Sequence, residues 1–493
     1  MIASDEQPAN VAPPRDPSLK QALLPVGVLI LVLINTLFAF SLGGEPPNGG
    51  WQLGPLQIAD RGGNPHLSLI IAAAVAAAIG LRLGHRWKSI EDGIVHGISI
   101  GLPAILVLMT IGVLIGTWIA AGIVPMLILC GLKALSPSIF LPAACLVCAI
   151  VSISTGSSWT TAGTVGVALI AVGKALGVPL GMSAGAVVSG AYFGDKMSPL
   201  SDTTNLAPAV AGAELFEHIR HMVYTTVPAL IISLILYAIL GAFTISGNGD
   251  ISTVESYVAA ISESFNLTPL LLLPPALVIA MVVYRIPALP ALLGGAALGA
   301  IFAVVFQGAD WGQILAAAHS GYAADTGLAE VDDLLSNGGL LNMMSTVALI
   351  LCALSFGGVM ERTRMLTIIA GSILRLAKST GSLIASTIAT CFGMNLIAPD
   401  QYLSIVVPGR MFREAYAQRK LHPKNLSRTL EDAGTLTSSL VPWNTCGAFM
   451  TATLLVSPLT YLPFAFLNLL TPAIAILYGY LGWKIAPAEP NSA

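Results

Sequence analysis

Long apolar runs separated by short polar stretches dominate this chain. A run of about 20 apolar residues is long enough to cross the hydrocarbon core of a bilayer as a helix. Runs of this kind predict spans at 22–43, 66–84, 98–120, 122–134, 222–244, 268–284, 287–306, 341–360, 364–379 and 461–483. Two further regions, 138–214 and 381–460, are apolar but interrupted by Gly, Pro and hydroxyl residues, which predicts broken helices.

The composition supports a membrane protein. Of 493 residues, 55% are hydrophobic and only 10% are charged, whereas a soluble domain carries about 25% charged residues. The run 22–43 exceeds the apolar core of a signal peptide, which has about 7–15 residues, so we expect an uncleaved first span. Lys and Arg form no continuous basic stripe, which argues against nucleic acid as a partner. The fold class is therefore an all-α polytopic membrane protein.

The two halves of the chain resemble each other weakly. Gly116–Gly131 aligns with 356–371 at a spacing of 240, because 371 − 131 = 240, and near that spacing Asn205 meets Asn444 and Thr160 meets Asp400. The segment 82–88 is basic, whereas 307–338 is acidic and lacks Lys and Arg. Since basic loops stay cytoplasmic, equivalent spans should run in opposite directions. This predicts two inverted-topology repeats with broken helices and re-entrant hairpins.

The repeat argument divides the chain into five parts. These are a cytoplasmic N-terminal tail at 1–21, a first transmembrane repeat at 22–244, an external linker at 245–267, a second repeat at 268–484 and a C-terminal tail at 485–493. The segment 44–65 should also lie outside. Both termini should be cytoplasmic, as should the basic stretch from Arg410 to Arg428.

One polar stretch lies in strongly apolar surroundings. It carries Asp195, Lys196, Ser198, Ser201, Asp202, Thr203, Thr204 and Asn205. Ionisable groups in hydrocarbon are costly and usually mark an ion pathway, and breaks at Gly194 and Pro199 expose backbone carbonyls, as in the ion sites of secondary transporters. Asp195 and Lys196 are adjacent, so a direct ion pair between them is doubtful; a salt bridge from Lys196 to another carboxylate is the alternative.

The second half repeats this chemistry around Pro442. Its candidates are Glu431, Asp432, Thr435, Ser438 and Asn444. For both sets a structural role is the alternative: the polar groups would form hydrogen bonds with one another and with backbone groups that the helix breaks leave unpaired.

Other polar residues allow two readings each. Asp400 follows Pro399 and either lines the pathway or caps a helix that begins there. Thr155 and Ser157 belong to a hydroxyl-rich segment around Gly156, which suits a re-entrant hairpin, unless the hydroxyls bond to their own helix. Glu214 to Arg220 resembles a solvated helix end.

The run Gly194-Asp-Lys-Met-Ser-Pro-Leu-Ser-Asp-Thr-Thr-Asn-Leu-Ala-Pro208 resembles the signature of the NhaC family of Na⁺/H⁺ antiporters, a branch of the ion transporter superfamily. The stretches Gly116–Gly122, Asp400–Leu403, Pro408–Phe412 and Glu431–Gly447 are similar to that family as well. The resemblance implies a secondary active transporter in a bacterial inner membrane. It implies exchange of Na⁺ for H⁺ by alternating access without a cofactor, and a homodimer as one possible assembly.

Competition at one carboxylate is sufficient for such exchange, because the carboxylate holds either Na⁺ or H⁺. Na⁺ is a hard cation that prefers oxygen ligands, as Ca²⁺ and Mg²⁺ do. Asp202 is the first choice for this carboxylate and Asp432 the second.

Two alternatives remain open for the substrate. One is exchange of an organic acid or amino acid coupled to Na⁺ or H⁺, and the other is Na⁺-coupled dicarboxylate symport. An enzyme is disfavoured, because no His-Glu-x-x-His motif occurs, and broken repeats favour a carrier over a channel.

Overall fold

The computed structural model describes residues 13–42, 51–53, 56–60, 65–244 and 251–488. Seven of its helices are long and apolar enough to cross a membrane, and the number is nine if two bent helix pairs each form one span. The predicted class of a helical multi-pass membrane protein is confirmed. The segment 44–65, which we expected to lie outside, differs from this helical class, because its described residues belong to a small antiparallel sheet of order β1-β3-β2. The strands are β1 (Phe38–Leu42), β2 (Trp51–Leu53) and β3 (Leu56–Asp60).

The first half of the chain contributes ten helices to the described residues. They are α1 (Leu19–Leu37), α2 (His66–Arg82), α3 (Trp87–Ala120), α4 (Ile123–Ala134), α5 (Pro137–Thr155), α6 (Ser158–Thr161), α7 (Val167–Ala175), α8 (Leu180–Met197), α9 (Asp202–Ala211) and α10 (Leu215–Thr244). A π-helical turn at Ala162–Gly166 joins α6 to α7.

The second half contributes fourteen more. They are α11 (Ile251–Ser264), α12 (Leu273–Val283), α13 (Ala288–Gln307), α14 (Trp311–Ser320), α15 (Ala329–Leu335), α16 (Met344–Arg362), α17 (Met365–Leu374), α18 (Thr380–Ile397), α19 (Gln401–Gln418), α20 (Pro423–Leu430), α21 (Leu436–Ser438), α22 (Thr445–Leu454), α23 (Pro458–Tyr461) and α24 (Phe466–Leu481). Short 3₁₀ turns lie at Pro269–Leu272, Leu341–Met343 and Leu462–Phe464, and a second π-helical turn at Glu431–Thr435 joins α20 to α21. The expected linker 245–267 thus contains α11, while 245–250 lie outside the described residues.

The chain divides into two compact units. The smaller consists of 1–100 with 351–372, and the larger of 101–350 with 373–493. Within the smaller unit, helices approach closely at glycines: a Cβ on Gly97 would lie 2.6 Å from the Leu354 carbonyl oxygen. All of the candidate site residues belong to the larger unit.

Four of the helix breaks in the larger unit lie beside candidate residues. The breaks lie at 156–157 between α5 and α6, 198–201 between α8 and α9, 398–400 between α18 and α19, and 439–444 between α21 and α22. Glycine or proline contributes to each break, since Gly156 has φ +66° and Pro199, Pro399 and Pro442 lie in the other three. The structure therefore has the broken helices that the sequence predicts. The expected break at Gly194 is wrong, because Gly194 lies inside α8, where a glycine allows close packing against α5.

Five helix starts repeat at one constant spacing. The pairs are 137/380, 158/401, 180/423, 202/445 and 215/458, and each difference is 243. The expected pairing of Asn205 with Asn444 and of Thr160 with Asp400 is wrong at this register. Asn444 instead matches Ser201 and Asp400 matches Ser157, and all four side chains cap the helix that follows them. The constant spacing agrees with two related halves, whose inverted orientation stays a prediction.

Small residues bring α5 and α8 into close contact. A Cβ on Gly190 would lie 2.1 Å from the Cys145 carbonyl oxygen, and one on Gly194 would lie 2.4 Å from the Ile153 nitrogen. The Cys145 and Cys148 thiols are free and buried. This close approach fixes the last turn of α8, which carries Asp195 and Lys196.

Candidate functional site

A cavity of about 690 Å³ lies where the broken helices of the larger unit meet. Three aspartates line it: Asp195 at the end of α8, Asp202 at the start of α9 and Asp400 before α19. Hydroxyl groups of Thr155, Ser157 and Ser158 also line it, as do apolar side chains and Arg285. The sequence predicted these aspartates as candidates, and the fold brings them to one cavity from two breaks, 198–201 and 398–400.

Asp195 is a buried carboxylate of the cavity wall with one oxygen available to a ligand. Its side chain is 4% exposed. Ser158 Oγ donates a hydrogen bond of 2.6 Å to Oδ2, while Oδ1 is buried and has no hydrogen-bond partner among the described residues. A buried polar atom without a partner is costly, so this oxygen is suited to bind a proton or a cation.

Asp202 and Asp400 are held more firmly. Asp202 lies at the exposed mouth of the cavity, where the Tyr402 hydroxyl donates to Oδ2 and the Thr203 N–H donates to Oδ1 at 2.8 Å. Asp400 Oδ1 accepts hydrogen bonds from the N–H groups of Tyr402 and Leu403 at 2.9 and 3.2 Å. The expectation that Asp400 caps a helix is confirmed, and its side chain also lines the cavity. Its place in a transport pathway stays a prediction.

Several predicted ligands instead stabilise the loop 198–201. Ser198 Oγ donates to the Ile153 carbonyl at 2.8 Å. Thr204 Oγ1 donates to the Lys196 carbonyl at 2.9 Å, and Ser201 caps α9. Asn205 is exposed and its amide donates to the carbonyls of Pro199 and Ser201 at 2.9 and 2.6 Å. These contacts fit the plainer reading of the sequence, in which polar groups satisfy broken backbone.

A second polar cluster is fully buried, and its residues Lys196, Arg428 and Asp432 do not line the cavity. Lys196 Nζ forms an ion pair with Asp432 Oδ1, and both side chains are 0% exposed. Thr225 Oγ1 also donates to Asp432 Oδ1, at 3.0 Å. Arg428 Nε lies 4.0 Å from Asp432 Oδ2, and Arg428 is buried as well. Lys196 therefore pairs with a distant carboxylate, which was the alternative that the sequence left open.

Glu431 joins this cluster to α9. Its Oε1 accepts a hydrogen bond of 2.9 Å from Thr203 Oγ1, and its Oε2 is buried without a hydrogen-bond partner among the described residues. The π-helical turn Glu431–Thr435 supplies both Glu431 and Asp432, and such turns often lie at functional sites.

The remaining candidates of the second half lie away from the cavity. Ser438 Oγ donates to the Thr435 carbonyl of its own helix at 2.5 Å, and Thr435 is fully buried. Asn444 caps α22, and its amide donates to Asn395 Oδ1 at 3.0 Å. Thr435, Ser438 and Asn444 do not line the cavity, whereas Thr445, the residue after Asn444, does.

Sequence reasoning placed two charged or titratable residues wrongly. Arg428 was assigned to a cytoplasmic basic stretch and His218 to a solvated helix end, but both side chains are 0% exposed. Glu214 does behave as an exposed helix end: its Oε2 accepts the Glu217 N–H at 2.8 Å, and such backbone donors hold the pKa of this carboxyl below its usual range.

Sequence reasoning grouped Ser158 with the hydroxyl-rich segment, but it did not foresee that Ser158 and Tyr402 contact aspartates of the cavity. Ser158 follows a capping Ser157, and Tyr402 follows a capping Asp400. The signal that could have found them is a polar or aromatic residue one or two positions after a helix cap at a predicted break.

Comparisons with known proteins identify relatives along nearly the whole chain. The family model described as "Na+/H+ antiporter family" matches residues 190–483. The Na⁺/H⁺ antiporter NhaC of Alkalihalophilus pseudofirmus is 39% identical over 93% of this chain and 95% of that protein. The malate-2H⁺/Na⁺-lactate antiporter of Bacillus subtilis is 40% identical over 86% and 91%. The arginine/ornithine antiporter ArcD of Halobacterium salinarum is 36% identical over 98% and 96%.

Proposed function

The chain belongs to the Na⁺/H⁺ antiporter family, and from this membership we propose that it exchanges Na⁺ for H⁺ across the bacterial inner membrane by alternating access. Exchange takes place at one carboxylate that Na⁺ and H⁺ share competitively. The observation that carries the proposal is the setting of Asp195, which lines the cavity. One of its oxygens is held by Ser158, and the other accepts no hydrogen bond from the part of the chain that the structure describes.

The site suits a small monovalent cation held by few ligands. No three acidic, His or Cys side chains within the described ranges are grouped so that they could hold a metal ion. A bound Na⁺ would therefore take one carboxylate, nearby hydroxyl oxygens such as that of Ser158, and water. Weak coordination of this kind allows release, which a carrier needs as much as binding.

Asp195 replaces Asp202 as the preferred carboxylate. Both oxygens of Asp202 already accept hydrogen bonds and its side chain is exposed, so it gains less from a cation. Asp432 is not proposed as a ligand, because Lys196 already neutralises it.

The test is Na⁺-driven proton movement in proteoliposomes containing Asp195→Asn. This change removes the titratable charge and keeps the size of the side chain, so exchange should fall to the level of vesicles without protein. Asp325→Asn, at an exposed aspartate outside the cavity, is the matched control and should exchange at the normal rate. A folded Asp195→Asn protein with normal exchange would remove Asp195 from the mechanism.

A second function is favoured by the size and lining of the cavity. About 690 Å³ exceeds what one Na⁺ needs, and Arg285 with apolar Val282, Ile286 and Phe216 lines the same space. This combination suits a small organic acid, whose carboxylate would pair with Arg285. The same proteoliposomes loaded with malate or lactate, or with arginine or ornithine, separate the two functions: only an organic exchanger moves labelled solute in response to Na⁺ or H⁺.

A further inference from the structure

A second cavity, of about 260 Å³, lies in the same unit. Val167, Ala171 and Lys174 of α7 line one side, and Thr453 and Leu454 of α22 line another. Asp333 of α15 completes the rim and forms an ion pair with Lys174. None of these residues belongs to the first cavity.

The two cavities lie at opposite ends of the same two helical segments. The run from Ser158 to Ala175 is continuously helical; Trp159 lines the first cavity and Lys174 the second. Those residues are 174 − 159 = 15 positions apart, which is about 22 Å at 1.5 Å per residue. On α22, Thr445 lines the first cavity and Leu454 the second. Because α22 contacts α6, α7 and the π-helical turn between them, the interface of these segments connects the cavities.

An aromatic stack closes this interface near the first cavity. The rings of Trp159 and Phe449 lie 4.0 Å apart at 16°. Phe449 is fully buried. Trp159 comes from the first half of the chain and Phe449 from the second, so the stack joins two helices that a relative movement of the halves would separate. Trp159 matches Tyr402 at the spacing of 243, and Tyr402 contacts Asp202 on the other side of the site.

Two buried polar groups mark the same interface. Trp159 Nε1 and Thr453 Oγ1 have no hydrogen-bond partner among the described residues, and Thr453 is 0% exposed. Buried polar atoms in native proteins nearly always have partners. One of these atoms lies at each end of the closed interface, where water or a passing cation would supply the missing contact.

We propose that the second cavity is the opposite mouth of the transport path, and that the Trp159–Phe449 stack is the barrier between the two mouths. The inference rests on the proposed exchange function and specifies its path. The ion passes from Asp195 between α6–α7 and α22 to the rim formed by Lys174 and Asp333. The rim ion pair contributes little to closure, because Asp333 is 76% exposed and exposed pairs are weak.

The path is tested by labelling two single cysteines with a membrane-impermeant maleimide in vesicles of both orientations. Leu200→Cys reports the first cavity and Leu455→Cys the second, and both leucines are exposed. The parent carries Cys130→Ser and Cys352→Ser, since its other cysteines are buried. We expect labelling from opposite faces of the membrane. Labelling of both from the same face would overturn the path.

The barrier is tested by Trp159→Ala, with Trp159→Phe as the variant that keeps a stacking ring. In Trp159→Ala, ²²Na⁺ should equilibrate without proton exchange about tenfold faster, which corresponds to a barrier lower by about 1.4 kcal/mol. In Trp159→Phe, Na⁺ movement should stay tightly coupled to proton movement. A coupled Trp159→Ala protein would overturn the barrier. If Trp159→Ala does not fold, Phe449→Leu takes its place, because it removes the other ring of the stack. Faster uncoupled ²²Na⁺ equilibration in Phe449→Leu supports the barrier, and normal coupling contradicts it. Opposite-face labelling in a protein that exchanges no Na⁺ for H⁺ would support the path and overturn the exchange function.

Discussion

The cavity and the buried cluster of Lys196, Arg428 and Asp432 both contain aspartates, but these aspartates have different surroundings. In the cavity, Asp195 is held by a hydroxyl and has no ion-pair partner among the described residues. In the cluster, Asp432 faces Lys196 and Arg428 and is completely enclosed. The presence of a neighbouring counter-charge, more than the depth of burial, therefore decides whether a carboxylate is available to a transported ion. A carboxylate that is already neutralised by Lys has little to gain from Na⁺.

The two regions are also held in shape by different means. The cavity depends on broken backbone, because Gly156 adopts a positive φ and packs against the loop at Leu200. The cluster depends on charge, because Lys196 on α8 reaches a carboxylate 236 residues away in the chain. A change to the loop at the cavity should therefore affect transport most, and a change to the charges of the cluster should affect stability most.

The largest stability effect should come from Asp432→Asn. This change leaves Lys196 and Arg428 buried without their carboxylate, and breaking a buried ion pair in this way costs about 3–5 kcal/mol. Thermal unfolding in detergent should show a strongly lowered midpoint, whereas Asp202→Asn at the exposed cavity mouth should unfold close to the wild type. The double change Lys196→Met with Asp432→Asn should lose less than the sum of the single changes. A wild-type midpoint for Asp432→Asn would mean that the cluster does not stabilise the fold.

A smaller effect on stability, with a clear effect on transport, is expected for Gly156→Ala. A Cβ here would lie 2.6 Å from Leu200 Cβ and 2.8 Å from its carbonyl carbon, so the loop that bears Ser201 must move. Gly177→Ala is the matched control, because Gly177 has φ +73° with nothing within 4 Å of a Cβ. Backbone strain alone costs about 1–2 kcal/mol. Both variants should show that loss, but only Gly156→Ala should also lose exchange; equal exchange in the two would argue against the loop as part of the site.

Local features were predictable from the sequence because they depend on neighbouring residues. Pro199, Pro399 and Pro442 each mark a helix break, and the polar run around Asp195 contains two aspartates that line the cavity. Long-range partners were not predictable in this way. Nothing near Lys196 in the chain points to Asp432, and Arg428 was assigned to a loop because it follows a series of basic residues that includes Lys424.

The register of the two halves was also misjudged for a physical reason. Matching Asn205 with Asn444 followed residue identity, whereas helix caps are chemically interchangeable among Ser, Asn and Asp. The constant spacing of 243 between helix starts relates Ser201 to Asn444 and Ser157 to Asp400. Cap positions, compared as a class, carry more information about a weak repeat than identical residues do.

The most direct test of the shared carboxylate is the pH dependence of the apparent Na⁺ KM in proteoliposomes containing the wild-type protein. We propose that protons and Na⁺ compete for Asp195, and on this proposal a lower pH should raise the apparent KM and leave the maximal rate nearly unchanged. With one shared proton, mass action gives about tenfold in KM per pH unit at the acidic end, and the effect should fade at alkaline pH. The range from about pH 5.5 to 8.5 extends to both sides of physiological pH. An apparent KM that stays flat over this range would contradict direct competition and require separate sites for Na⁺ and H⁺.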